Sequence, residues 1–165
     1  MAENDAISFD DSTWPIIVGT CPAKMSDGSV APLGAFFEKV HARKEPFCTI
    51  IDSRLLKTMP SAKWRKDITR WATDPRVEAD THRYNVATAI VMESALARGV
   101  FVALGWLRKP ASPTHAVSSM IEAMQWCGEL LARAGVPLGP KARAFHDALI
   151  AEAAARQDAP KPARR

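Results

Sequence analysis

Apolar residues in this chain fall in short runs separated by polar stretches, and the spacing inside each run assigns its element. The run Val86–Met92 (VATAIVM) holds no charged residue, contains β-branched side chains, and closes on Glu93-Ser94. Such a run predicts a strand buried on both faces, and it is taken here as the strand around which the rest is arranged. Directly after it, Leu96, Val100, Ala103 and Leu107 recur at i, i+4, i+7 and i+11, the stripe of an amphipathic helix over residues 94–107. Upstream, Phe47–Ile51 (FCTII) is a second buried strand, beginning after Pro46 and ending at Asp52-Ser53. Ile7–Phe9 and Trp14–Thr20, parted by Asp10-Asp11-Ser12, predict an opening β-hairpin in which Pro15 limits ladder pairing at one end.

The remaining elements are helical. Leu33, Phe36, Phe37 and Val40 follow Pro32 at i, i+3, i+4 and i+7, and the basic end of that helix (His41, Arg43, Lys44) suits its dipole. Ser61 is placed to cap a helix whose apolar stripe is Trp64, Ile68 and Trp71 and whose opposite face carries Lys63, Lys66 and Arg70. A short helix runs from Asp74-Pro75 to about Tyr84. His115–Val117 reads as an edge strand, Ser119 and Glu122 as a capping box, and Met124 and Leu131 as the inner side of a helix ending at Gly135. Strands alternating with amphipathic helices predict an α/β fold, with a mixed sheet of about four or five strands packed against helices. Residues 1–135 would form that domain, 136–156 an extra C-terminal helix, and 157–165 (QDAPKPARR) a disordered basic tail.

Composition narrows the function. A chain of 165 residues accommodates one domain with a sizeable core. Its 22 Lys and Arg against 18 Asp and Glu give a net charge of +4, well short of a dedicated nucleic-acid binder. Cys21, Cys48 and Cys127 lie far apart among apolar neighbours, the pattern of reduced thiols, and the acidic N-terminus has no apolar leader segment. A cytoplasmic location is expected from both. Glu93, Arg98 and two glycines interrupt residues 86–107, which argues against a membrane span.

No catalytic signature is present. The chain has no G-x-S-x-G, G-x-G-x-x-G or Walker A sequence. Glu78 and His82 have a chelating i, i+4 spacing but no third ligand nearby, so neither a metal nor a cofactor is expected. What remains are candidate binding residues. Asp52 and Ser53 stand at the carboxyl end of a parallel strand, where α/β folds place ligands. Ser61 would hold a phosphate at a helix N-terminus. Lys63, Lys66 and Arg70 form a face able to dock an acidic partner or a lipid headgroup. Of the chain's five tryptophans, at least one of Trp71, Trp106 and Trp126 is expected to be partly exposed at a homodimer or partner contact.

The order of elements resembles the STAS family, in particular the SpoIIAA-like bacterial proteins with STAS/SEC14 domains. The resemblance is carried by the Trp14-Pro15 strand, Pro46-Phe47 with the strand to Asp52, Val86–Met92 followed by Arg98-Gly99, Trp106-Leu107, and Glu122–Trp126. It covers roughly residues 7–133. It implies a non-enzymatic regulatory or partner-binding module, in which a serine at the start of a helix beyond a central strand is phosphorylated to switch off binding. Ser61 and Ser53 are the nearest positions, although Asp52-Ser53 is followed by Arg54-Leu55 where the family has Asp-Ser-Ser-Gly. The runner-up is a small-ligand or lipid carrier of the SEC14 type, with a pocket opened by Ala95, Ala97, Gly99, Ala103 and Gly105. A hydrolase or transferase built on Asp52 is the third reading.

Overall fold

A computed structural model describes residues 5–94 and 110–158. The helix expected over residues 94–107, together with Trp106 and the small residues of the carrier reading, lies outside them but for Ser94. β1 (Ser8–Asp10) turns into β2 (Ile16–Thr20). A single 3-10 turn (Asp27–Ser29) leads to α1 (Val30–His41), β3 (Phe47–Asp52), α2 (Ala62–Ala72), α3 (Pro75–Tyr84) and β4 (Asn85–Val91). The described chain resumes before β5 (Thr114–Val117) and ends in α4 (Met120–Arg133) and α5 (Pro140–Asp158). The last helix therefore includes Gln157 and Asp158, which the sequence assigned to the tail.

The five strands lie in chain order, β1-β2-β3-β4-β5. β1 is antiparallel to β2, and every later pair is parallel. β3 is thus the middle strand and β4 its neighbour, which corrects the central position assigned to VATAIVM. Along β4, Ala87, Ala89 and Val91 are fully buried while Val86, Thr88 and Ile90 are half-buried. An uncharged run fits one dry face and one half-covered face as well as two dry ones. β2 begins only at Ile16 because Thr13 Oγ1 donates to the Ile16 carbonyl (2.8 Å) and Trp14 is held in a turn, its N–H on the Asp11 carbonyl (3.2 Å).

Alternation along the strands separates two cores. Ile16, Cys48, Ile50, Ala87, Ala89 and Val91 face α4, where they meet Met124, Cys127 and Leu131. Ile17 and Phe47 face α1, where they meet Leu33, Phe37 and Val40. α5 lies on α4 and adds the buried Ala142 with Phe145 and Leu149. Its start is fixed against the opening turn, because a Cβ at Gly139 would come within 2.8 Å of the Trp14 carbonyl oxygen. All three cysteines are free thiols inside the protein. Cys48 Sγ lies 3.7 Å from the Cys127 carbonyl oxygen. Burial, with the Asp52 carboxylate nearby, pushes the Cys21 thiol up to about 11.

Candidate functional site

The parallel strands end together, with Thr20, Asp52 and Val91 side by side in register. Asp52 is almost wholly buried there, and burial alone would raise its carboxyl. Arg54 outweighs that: its Nε and Nη2 reach the two carboxylate oxygens at 2.9 and 2.7 Å, and its backbone N–H donates to Oδ1 at 3.1 Å. The result is a carboxylate held below its ordinary range. Ser53 Oγ donates to the Val91 carbonyl (2.7 Å) and ties the loop to β4. Asp52 and Arg54 also line a cleft of about 480 Å³ whose apolar side includes Val18, Met120, Phe145 and Leu149. The sequence points to the Asp-Ser pair alone, and the structure adds Arg54. The signal was there, since an arginine two residues past a strand-terminal aspartate can reach back to both oxygens.

A second and larger concavity opens on the other face. α1, α2 and α3 enclose an open groove of about 1220 Å³. Phe37, Trp71 and Tyr84 form its aromatic part, and Gly34 makes room for the indole, since a Cβ there would lie 3.2 Å from Trp71 Nε1. Both α2 and α3 bury no residue. Their ends are fixed by caps instead: Ser61 Oγ accepts from Trp64 N–H (3.0 Å), and Asp74 accepts from Arg76 N–H (2.9 Å) with Pro75 in the first turn. Trp64 Nε1 donates to Ser29 Oγ (2.8 Å) and pins α2 to the turn before α1. On the rim, Lys63 pairs with Asp67, and Arg70 approaches the same carboxylate at 3.8 Å. The Lys63 hydrogen bond holds Asp67 below the usual carboxylate range, and Lys63 is raised in turn. His41, at the groove's inner end, is buried with Nε2 unpartnered, and burial pushes its pKa down against the pull of Asp80.

No family profile and no curated protein matches the chain. Among solved structures it is similar to an uncharacterized protein of the DUF3478 family, with a SpoIIAA-like fold, from Shewanella loihica PV-4. The two share 15% identity with a TM-score of 0.54, over 74% of this chain and 92% of the other. The chain has a SpoIIAA-like fold.

Within the SpoIIAA-like framework the sequence-predicted residues divide among four places. Asp52 and Ser53 stay at the sheet edge, engaged by Arg54 and by β4. Lys63, Arg70 and Trp71 come together at the groove, and Ser61 joins its rim by donating to Asp27. A phosphoryl group on Ser61 would replace that bond with two adjacent negative groups while facing the free N–H groups of α2. Lys66 is exposed and outside the groove lining. Trp71 and Trp126 are both half-buried, but Trp126 belongs to the opposite face, its ring 5.4 Å from that of His115. Among the described residues no group of three or more His, Cys, Asp and Glu could hold a metal ion, and no helix is long and apolar enough to cross a membrane.

Proposed function

We propose that the protein is a non-enzymatic interaction module of STAS-like type, which binds a protein segment or a second copy of itself in the groove between α1, α2 and α3. The observation that carries this reading is that two helices with no buried residue wall an open groove containing Trp71, Phe37 and Tyr84. Trp71 and Tyr84 are half-buried over the buried Phe37, and half-covered aromatic side chains inside a charged rim are the usual anatomy of a contact surface. Ser61 is the regulatory position in this reading, since it caps the helix that follows the middle strand and its hydroxyl already bonds a rim carboxylate. Native mass spectrometry and sizing of the full chain test it. A dimer or retained protein that Trp71→Glu abolishes supports the groove, and a bare monomer at all accessible concentrations counts against it.

The carrier reading is favoured by one observation, the cleft of about 480 Å³ with apolar walls and the Asp52–Arg54 pair. That volume falls in the range of small-molecule sites. A small bound mass retained by the native protein and lost in Phe145→Trp would support it.

A further inference from the structure

One stretch of the chain carries a net charge as large as the +4 of the whole. Residues 57–70 carry five cations, Lys57, Lys63, Arg65, Lys66 and Arg70, against the one carboxylate of Asp67. Asp67 is occupied by Lys63 and Arg70. No carboxylate among the described residues lies within ion-pair distance of Lys57, Arg65 or Lys66, and all three side chains are exposed. Arg65 donates only to the neutral carbonyl of Pro60 (2.6 Å). The loop that leads into α2 adds a second feature: Leu55 is 59% and Met59 78% exposed, on either side of Lys57.

We propose that this loop and the adjoining part of α2 form a docking surface for an anionic lipid bilayer. Leu55 and Met59 would enter the interfacial layer while Lys57, Arg65 and Lys66 meet lipid phosphates. Charge selects an anionic occupant, and shape selects the bilayer over an acidic protein. A protein receives a protruding apolar side chain only in a matching pocket, whereas a bilayer takes one anywhere along its surface. The surface is separate from the groove, whose lining includes neither Leu55 and Met59 nor Arg65 and Lys66. Each cation near an anionic surface strengthens binding about fivefold.

The test is sedimentation of the full chain with vesicles of phosphatidylcholine alone or mixed with phosphatidylglycerol, at low and high salt. Binding is expected only with the mixed vesicles and weakens as salt rises. Lys57→Gln with Lys66→Gln lowers affinity about twentyfold. Leu55→Ser with Met59→Ser lowers it about tenfold and leaves the salt dependence intact. All four positions are exposed, so circular dichroism of the variants should match the parent. Absence of binding to the mixed vesicles at low salt overturns the proposal. So does full retention of binding by the Leu55/Met59 variant, which reduces the effect to non-specific attraction. Binding to polyglutamate without binding to vesicles reassigns the surface to an acidic protein and overturns it as well.

Discussion

On one side of the sheet Met124, Cys127 and Leu131 of α4 are each no more than 1% exposed, closed over Ile16, Cys48 and Ile50. On the other side α1 is dry against Ile17 and Phe47, but α2 and α3 have no fully buried residue and pack Ile68, Trp71 and Tyr84 only in part against that core. The same strands therefore support a tightly filled layer and a loosely seated one. Aliphatic, small and sulfur-bearing side chains dominate the first, and a cluster of aromatic rings the second: Phe9, Phe36, Phe37, Phe47 and Trp71 meet at centroid distances of 4.7 to 6.5 Å. The fully buried side chains thus gather on the α4 side, and the half-covered ones on the α2–α3 side.

Substitutions can break that contrast. Leu131→Ala should cost about 3 kcal/mol, because a fully buried leucine leaves a cavity its neighbours cannot fill. Trp71→Ala should cost about 2 kcal/mol despite the larger side chain, since the ring is only half-buried and lines an open groove. Urea unfolding measures both, and equal losses would show that the two faces are equally load-sharing. Gly139→Ala comes next, at about 1–3 kcal/mol, because its Cβ meets a backbone oxygen that cannot swing away. Gly28→Ala, with nothing within 4 Å of the added carbon, is the control and should stay within about 0.5 kcal/mol.

Removing the caps sharpens the contrast further. Ser119→Ala and Ser61→Ala each remove an acceptor for a first-turn N–H and should cost about 1 kcal/mol. Ser119→Ala should lower global stability, because α4 is part of the main core. Ser61→Ala should appear chiefly as faster hydrogen exchange across residues 62–72, with a smaller shift in the unfolding midpoint.

The smallest effects come with acid, and both faces give the same sign. His41 has a folded pKa below its ordinary 6.5, so its contribution is complete above that value and is lost as pH falls towards the folded value. Asp52 is likewise depressed, by Arg54 against burial, so its contribution is present above 3.8 and is lost as pH falls through the folded value. His41→Phe should flatten the stability curve just below pH 6.5. Arg54→Met should instead move the acid limb upward in pH, because the buried carboxyl then protonates more readily.

Much of this architecture was legible because its signals are local. Pro46 before Phe47, Ser61 before Trp64 and Ser119 before Glu122 each set an element boundary within a few residues, and each boundary stands. One detail differs: Glu122 accepts from Ser118 N–H (2.8 Å) instead of from the cap residue itself. Strand rank was less legible, since VATAIVM and FCTIID are both free of charge until their ends, and only pairing reveals which lies in the middle. The groove was not legible at all as a groove. His41, Trp71 and Tyr84 come from three helices, and no spacing along the chain announces that they face one space. Lys63, Lys66 and Arg70 read as one cationic face along the chain, but Asp67 among them pairs with Lys63 and Arg70 and cancels much of their charge.

The burial of every cysteine has a practical consequence. Cys21 titrates far above neutrality, and Cys48 and Cys127 are sealed between β3 and α4, so thiol-directed probes should leave the native fold unmarked. A cysteine introduced at Leu55 or Lys66 would then be the sole reactive handle, with no need to delete the natural ones. Spin labels or environment-sensitive dyes can thus report from the basic loop or from the exposed side of α2 while the interior keeps its own sulfur atoms.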